Sequence, residues 1–328
     1  MGKYSFVITL PIDWVRMHGL GKGDNVSVQI RGDGSLAVNP RLDPREKTLE
    51  TSLSIKSEEG VNSIIRSIIG CYLNGYNIIH LVSDNNFTAA QQNAIRSVVR
   101  SLYMRILEAT SSKVTLQTLM DESLASVISG IERMHIITNS MSQDVLKAIR
   151  EWDDDLARSV ITLEDDVNQF MYFLLRLLRS SVENPSLAVK LGLTMGDCFD
   201  YHLIINRIEY VADHLTNIAT IVTKLKERSS DIPEQVFSSM IQSAEATFHY
   251  YDLAVNAFLS GELDYTNEII DNKEKIESLE ETLSPLQILG EAEKQIVIQL
   301  CGIIDNIARI SKFAADIAEL TIDRSFKR

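Results

Sequence analysis

The chain has 328 residues, a formal net charge of −13 and 45% hydrophobic residues. This length is sufficient for two or three domains. No run of eighteen apolar residues and no basic-then-apolar leader occurs, so we predict a cytoplasmic protein without membrane insertion. The three cysteines, Cys71, Cys198 and Cys301, are far apart and lack metal-binding spacing, which favours reduced core thiols.

The charge is distributed unevenly along the chain. Residues 1–44 carry a net +1, residues 45–120 a net +2 and residues 121–328 a net −16. The acidic balance therefore belongs to the C-terminal part. A surface of that sign disfavours nucleic acid and anionic lipid and favours cations or a basic protein partner.

The N-terminal piece alternates short apolar runs with glycine turns. The pattern predicts a strand over 4–10, a short helix over 12–18 and two strands over 25–31 and 35–39, joined by a tight Gly-Asp-Gly turn. This order, with Leu10-Pro11 before a short helix and Gly19-Leu20 before Gly23-Asp24, resembles the AbrB/SpoVT swapped-hairpin domain. The resemblance implies that residues 1–44 form a homodimer by interleaving hairpins.

Many domains of the AbrB/SpoVT kind bind DNA, and this piece offers few cations for it. Such domains usually begin with one more, often basic, strand, and this sequence starts after the point where that strand would have ended. Lys3, Arg16 and Lys22 remain as candidate phosphate contacts. Since DNA affinity comes chiefly from phosphate neutralisation, two interpretations stay open: a dimerisation module without DNA contact, and a DNA-binding head.

Residues 45–120 predict a small α/β domain. Alternating and β-branched runs predict strands over 48–56 and 77–82, and two closing strands over 104–109 and 114–119. Helices are predicted over 58–73 and 88–102, the second opened by Thr88 with Gln91 as a capping box. Strands that alternate with helices over such a short segment indicate a sheet covered by two helices.

From residue 121 the pattern changes to long helices. Start signals place them at about 123–150, 154–181, 185–226, 233–260, 263–283 and 285–325. An internal repeat divides these six helices into two groups of three, and its strongest trace aligns residues 210–219 with residues 309–318. The predicted fold is thus mainly α, with three-helix bundles over 121–228 and 229–328.

One helical stripe carries the first indication of function. Glu209 and Asp213 lie four residues apart, beside the apolar stripe of Ile208, Val211 and Leu215. Carboxylates at this spacing repel each other by roughly 0.2–0.5 kcal/mol on an exposed helix unless a cation lies between them. A solvated acidic face would show the same spacing, so the spacing permits a metal without requiring one.

The phrase around this pair, Ile208-Glu209-Tyr210-Val211-Ala212-Asp213-His214-Leu215-Thr216-Asn217-Ile218-Ala219, resembles the signature helix of the PhoU family of phosphate-uptake regulators. The resemblance implies tandem three-helix bundles and multinuclear metal binding by carboxylate pairs on the second and third helices of a bundle. In the first bundle the matching positions are Glu164 and Asn168 on one helix and Glu209 and Asp213 on the next. An oxygen-rich set of this kind suits a divalent or iron-type ion such as Mg, Mn, Ca or Fe.

The second repeat offers a poorer set of ligands. The corresponding positions are Lys273 and Glu277 on one helix, and Ala308 and Lys312 on the other. A protonated lysine cannot bind a metal. We therefore predict metal ions on the first bundle only, and we interpret His214 as a packing or surface residue because it points about 100° away from Asp213.

No catalytic motif occurs in the sequence, and we predict no enzyme. The PhoU resemblance implies a regulator of phosphate uptake that binds a phosphate ABC-transporter subunit or its signalling partner. The alternative is a transcription regulator in which the AbrB-like head binds DNA and the bundles act as sensor. A third interpretation is a dimeric scaffold with a metal-free bundle.

Overall fold

The computed structural model describes residues 6–30, 34–40, 48–120, 122–271, 273 and 294–327. The N-terminal part consists of helix α1 (Ile12–Met17) and strands β1 (Ser27–Ile30) and β2 (Leu36–Asn39). The two strands pair antiparallel, with Ser27 opposite Asn39 and Ile30 opposite Leu36. The predicted hairpin is confirmed.

The strand predicted over 4–10 is wrong for residues 6–10, which are not part of a sheet in the described chain. A strand needs a partner to accept and donate its backbone hydrogen bonds, and none lies beside this segment among the described residues. The apolar side chains of Phe6, Val7 and Ile8 are instead 98%, 80% and 58% exposed.

The α/β domain contains strands β3 (Glu50–Ile55), β4 (Ile78–Ser83), β5 (Met104–Ala109) and β6 (Lys113–Thr118), with helices α2 (Val61–Leu73) and α3 (Ala89–Ser101). The strand order is β3-β4-β6-β5. β3 and β4 are parallel and the other pairs antiparallel. Buried residues of both helices pack with those of the sheet in one core. Thr88 and Gln91 form the predicted capping box.

The C-terminal part contains the long helices α4 (Val127–Glu151), α5 (Asp154–Glu183), α7 (Met195–Leu225), α8 (Glu234–Ser260) and α9 (Lys294–Ser325). The short helix α6 (Pro185–Leu191) precedes α7. Short 3-10 turns occupy Glu122–Leu124 and Lys226–Asp231. The mainly α fold with a small N-terminal β part and an α/β middle domain is therefore confirmed.

The single helix predicted over 185–226 is wrong, because the structure divides it into α6 and α7. Gly192 adopts a left-handed conformation with φ 67° and ends α6, a role that glycine fills without steric cost. Thr194 and Asp197 then form a reciprocal capping box that starts α7.

The long helices share one hydrophobic core. Helices α4, α5 and α7 pack against one another, and α8 packs on α9. The group of three and the pair are joined by contacts of α9 with α7 and of α8 with α4. Residues 266–271 are helical, and the rest of the helix predicted over 263–283 lies almost wholly outside the described residues. No described helix is both long enough and apolar enough to cross a bilayer.

Arg176 of α5 joins the bundle to the α/β domain. The side chain is 1% exposed and donates hydrogen bonds to Glu122 Oε1 at 2.6 Å and to the backbone oxygens of Tyr72, Gly75 and Tyr76 at 2.6, 3.0 and 2.9 Å. These oxygens lie at and beyond the C-terminal end of α2, where the helix dipole favours a cation. The guanidinium also lies 4.8 Å from the centre of the Tyr72 ring.

Candidate functional site

The predicted ligand positions Glu164, Asn168, Glu209 and Asp213 meet along the contact between α5 and α7. The neighbouring apolar residues Val160 and Val167 of α5 and Ile208 of α7 are fully buried. Burial of that stripe holds the adjacent polar stripes of the two helices beside each other, half-buried at the edge of the core. We call Glu164, Glu209 and Asp213 the carboxylate patch.

Polar contacts connect the patch. Asn168 Nδ2 donates to Glu164 Oε1 at 3.4 Å, and Glu164 and Asp213 lie close enough across the two helices for each to shift the pKa of the other. The buried Thr216 hydroxyl has no well-formed hydrogen bond, yet it lies close enough to stabilise the ionised form of Glu164 and so to lower its pKa. Polar groups of the two helices thus lie side by side in the patch.

The electrostatics of the patch oppose full ionisation. Burial raises the pKa of Glu209 to about 7, with further contributions from the charges of Asp213 and Glu164. Burial, followed by the charge of Asp213, also raises the pKa of Glu164. Burial raises the pKa of Asp213, against which the charge of His214 and the hydrogen bond with Glu164 act. The Glu164–Asp213 pair therefore holds its proton more tightly than an exposed pair would.

The donor types suit a cation, but the present side-chain positions do not form a complete site. No Lys or Arg of the described residues is among the groups that shift the pKa of Glu164, Glu209 or Asp213. Carboxylate and carboxamide oxygens are the ligands that hard cations prefer. Even so, no three His, Cys, Asp or Glu side chains in the described ranges are gathered closely enough to hold a metal ion.

The histidine beside the patch serves packing. His214 Nδ1 lies 2.7 Å from Asn306 Oδ1 of α9. Asn306 Nδ2 donates to Gly302 O, so the amide oxygen faces His214 and Nδ1 is the donor. The imidazole also stacks on Phe313. The side chain, predicted to be a packing or surface residue, is thus directed to α9 and packs there.

The corresponding positions of the second repeat lack carboxylates where the structure describes them. Ala308 is buried in α9, and Lys312 lies one turn further along the same helix. Lys273 is described and half-buried, while Glu277 lies outside the described residues. A buried alanine and an ammonium provide no oxygen ligand.

The patch also faces the α/β domain through Tyr172. This tyrosine of α5 packs against the cores of both the bundle and the α/β domain. Burial, and then the charges of Glu209 and Asp213, raise its pKa. Nearby, Gln169 Nε2 donates to the backbone oxygen of Arg100 at the end of α3. The charge state of the patch therefore acts on a residue at the boundary between domains.

The N-terminal candidates for DNA contact lie far from the patch in the sequence, and they are basic whereas the patch is acidic. Arg16 and Lys22 are exposed, and neither forms an ion pair within the described part of the chain. Lys3 lies outside that part.

One polar network escaped the sequence analysis. His135 of α4 is 6% exposed, and its Nε2 donates to Asp252 Oδ1 of α8 at 2.9 Å. Asn139 and Asn256 donate to the same oxygen, and the hydrogen bond with His135 is the main cause that lowers the pKa of Asp252. A histidine within the buried stripe of α4 was the available signal, but its partner is more than a hundred residues away.

Comparison with known proteins gives two family matches. Residues 131–222 match the PhoU domain, and residues 4–45 match the family described as antidote-toxin recognition MazE, bacterial antitoxin. No curated protein matches the chain.

Two solved structures are similar to the chain. The PhoU of Pseudomonas aeruginosa is 16% identical with a TM-score of 0.48, over 60% of this chain and 93% of that chain. The phosphate transport system regulatory protein PhoU of Streptococcus pneumoniae is 20% identical with a TM-score of 0.48, over 60% of this chain and 91% of that chain.

The fold and the site define a helical-bundle protein with a half-buried carboxylate patch, an α/β domain and a small β-hairpin head. Within it, residues 131–222 form a PhoU domain that contains the whole patch, and the N-terminal residues form a MazE/AbrB-like domain.

Proposed function

We propose that this protein is a non-enzymatic regulator of phosphate uptake, and that it acts by binding a subunit of a phosphate transporter or its signalling partner. The observation that carries the proposal is the PhoU-domain match over residues 131–222. The net charge of −16 in residues 121–328 supports a basic partner surface, since opposite potentials favour docking.

The carboxylate patch is the surface we assign to this interaction. Glu209 and Asp213 lie one turn apart on α7, and no Lys or Arg of the described residues is among the groups that shift the pKa of either. A basic side chain of the partner would lower the cost of their ionisation, because a nearby cation favours the charged carboxylate.

The test is co-expression of the full chain with the subunits of the phosphate transporter from the same genome, followed by affinity capture at high and low phosphate. We expect capture at high phosphate and a clear loss with the double variant Glu209→Gln, Asp213→Asn. The matched control is Glu319→Gln, Asp323→Asn, an exposed pair at the same spacing on α9. Absence of every transporter subunit from the captured material would contradict the proposal.

As an alternative occupant of the same patch, in place of a basic side chain of the partner, we propose a divalent or iron-type ion at the first bundle, which Glu164, Glu209 and Asp213 with Asn168 would hold. The support is the oxygen donor set and the cost of ionising the patch without a cation. When bound, the ion would supply positive charge to the patch. Metal analysis of the wild type beside a Glu209→Ala, Asp213→Ala variant tests this proposal, and equal metal content in the two would remove the site.

We also propose that the N-terminal domain forms a homodimer in the cytoplasm. The support is the MazE-type match over 4–45 and the exposed apolar residues Phe6 and Val7. Apolar side chains exposed next to one another mark a surface that a partner covers more often than isolated ones do.

A second function, DNA binding by this head, is favoured by one observation: Arg16 and Lys22 are exposed without ion pairs in the described chain. Fluorescence-anisotropy titration with DNA from upstream of the protein's own operon, at low and near-physiological salt, tests it. Tight binding that weakens steeply with salt would indicate phosphate contacts, and an Arg16→Ala, Lys22→Ala variant should then bind more weakly with a smaller salt slope. No binding at low salt would leave the head as a dimerisation module.

A further inference from the structure

A cleft of about 350 Å³ opens between α5 and α7, with Asn74 at the end of α2 on its margin. It is distinct from the carboxylate patch. Along α5, the cleft residues Leu178 and Arg179 lie fourteen or more residues beyond Glu164, and along α7 His202 lies seven residues before Glu209, which at 1.5 Å per residue is roughly 20 Å and roughly 10 Å. The volume is at the lower end of the range of about 300–1,000 Å³ that is typical of small-molecule sites.

The wall of the cleft is apolar and unusually exposed. Val182, Met195 and Phe199 are 45%, 65% and 66% exposed, although all three belong to regular helices. The floor consists of the buried residues Leu178 and Cys198. Large apolar side chains grouped around a concavity mark a binding site more often than isolated ones do.

The cleft also has two basic residues in its lining. Arg179 and His202 both line the cleft, and burial together with the charge of Arg179 lowers the pKa of His202. Among the described residues Arg179 has no ion pair, although Glu183 lies one turn away on the same helix and also lines the cleft. By contrast Arg176, three residues before it, is fully paired. The guanidinium of Arg179 is therefore available to an anion.

We propose that this cleft binds a small organic anion, whose carboxylate or phosphate pairs with Arg179 and whose apolar body lies against Met195 and Phe199. Arg presents a planar fork that matches both anions bidentately. The apolar wall selects a ligand with a hydrocarbon or aromatic part over a free inorganic ion. The inference is independent of transporter binding, because it concerns other residues and a small molecule.

The experiment is methyl NMR of the full chain labelled at methionine, with the Met195 signal assigned through a Met195→Leu variant. The probes are 4-phenylbutyrate, phenyl phosphate, inorganic phosphate and the neutral 4-phenylbutan-1-ol. We expect a saturable shift of the Met195 signal with at least one of the two organic anions, and binding of the alcohol about tenfold weaker or less. Comparison of 4-phenylbutyrate with phenyl phosphate separates carboxylate from phosphate ligands.

Two substitutions test the roles of the residues. Arg179→Met should weaken the bound organic anion about tenfold or more and leave the alcohol unchanged, while Lys147→Met, the same loss of charge on exposed α4 surface, should change neither. Phe199→Ala should weaken the organic anion and the alcohol alike.

Three outcomes would overturn the proposal: no saturable shift with either organic anion, equal affinity for the acid and the alcohol, or unchanged binding in Arg179→Met. Inorganic phosphate that binds as tightly as phenyl phosphate would overturn the role of the apolar wall.

Discussion

His214 of α7 and Phe313 of α9 stack on each other, with ring centres 5.7 Å apart and planes inclined by 25°. The two residues occupy equivalent positions of the internal repeat, since the alignment of residues 210–219 with 309–318 places 214 opposite 313. Equivalent residues meet where two halves are related by a two-fold axis. A local two-fold relation between α7 and α9 would produce this contact.

A second pair of contacts obeys the same relation. His214 bonds to Asn306, and Phe313 lies 5.5 Å from the guanidinium carbon of Arg207. The repeat relates 214 to 313 and 207 to 306, so these two contacts are equivalent. The packing residues of α7 and α9 thus follow the repeat relation, whereas the positions equivalent to Glu209 and Asp213 are occupied by Ala308 and Lys312.

The stacked pair predicts a stability effect at the contact between α7 and α9. Phe313→Ala removes ring contacts with both His214 and Tyr210 and should lower the free energy of unfolding by about 1–3 kcal/mol. Urea denaturation measures the loss. Phe326→Ala, which removes a phenylalanine that is 79% exposed, is the control and should stay within about 0.5 kcal/mol of the wild type. Equal losses of unfolding free energy in the two variants would mean that the His214–Phe313 stack does not stabilise the contact between α7 and α9.

Arg176 predicts a larger effect between domains. Arg176→Met removes the charge partner of Glu122 and leaves three backbone oxygens without their donor, so we expect a loss of about 3–5 kcal/mol. Hydrogen exchange should report early opening at the end of α2. Arg179→Met, on an exposed position of the same helix, should cost less than about 0.5 kcal/mol. Similar stability of the two variants would contradict the role of Arg176.

The raised pKa of Glu209 predicts a pH dependence of stability. Folding raises this pKa from 4.5 to about 7. The contribution of Glu209 to the free energy of unfolding is therefore fully present below pH 4.5 and is lost as the pH rises through about 7. Because the group is half-buried, we expect a loss of about 1–2 kcal/mol between pH 5 and 8. Glu209→Gln should flatten this part of the profile, measured by urea unfolding at several pH values, and Glu319→Gln should not. Parallel profiles for all three proteins would argue against the burial of the charge.

The network around Asp252 predicts that α4 and α8 depend on each other. Asp252→Ala leaves the buried His135 without its acceptor, and its Nδ1 already lacks a partner, so we expect a loss of about 2–4 kcal/mol. Asp231→Ala removes a carboxylate that pairs only at the surface, and it should change stability by less than about 1 kcal/mol. Thermal and urea unfolding compare the two, and an equally mild effect at Asp252 would contradict the assignment.

The exposed N-terminal residues predict an oligomeric state. A Phe6→Ser, Val7→Ser variant should shift the dimer towards monomer, because it removes apolar area that a second copy would cover. Sedimentation equilibrium measures the mass. Val189→Ser, at an apolar residue that is 57% exposed on α6, is the control. A wild type that sediments as a monomer would contradict the dimer itself.

The long helices and the α/β strands followed from local pattern, because periodicity and capping act within a few residues. The prediction over 185–226 missed the break at Gly192, since a glycine inside an apolar pattern does not by itself reveal a left-handed conformation. For the patch, the i,i+4 spacing of Glu209 and Asp213 placed both on one stripe. Their contact with Glu164 depended on how α5 lies against α7.

The sequence by itself determined the elements, the charge asymmetry and the repeat, because each is a property of residues close together in the chain or of their sum. Only the tertiary structure decided the partners: Arg176 with the end of α2, His135 with Asp252, and Arg179 with a cleft instead of a carboxylate. The first two pairings join residues on different elements, and burial of Arg176 and His135 makes both of them matter by removing the water that would otherwise solvate the polar groups.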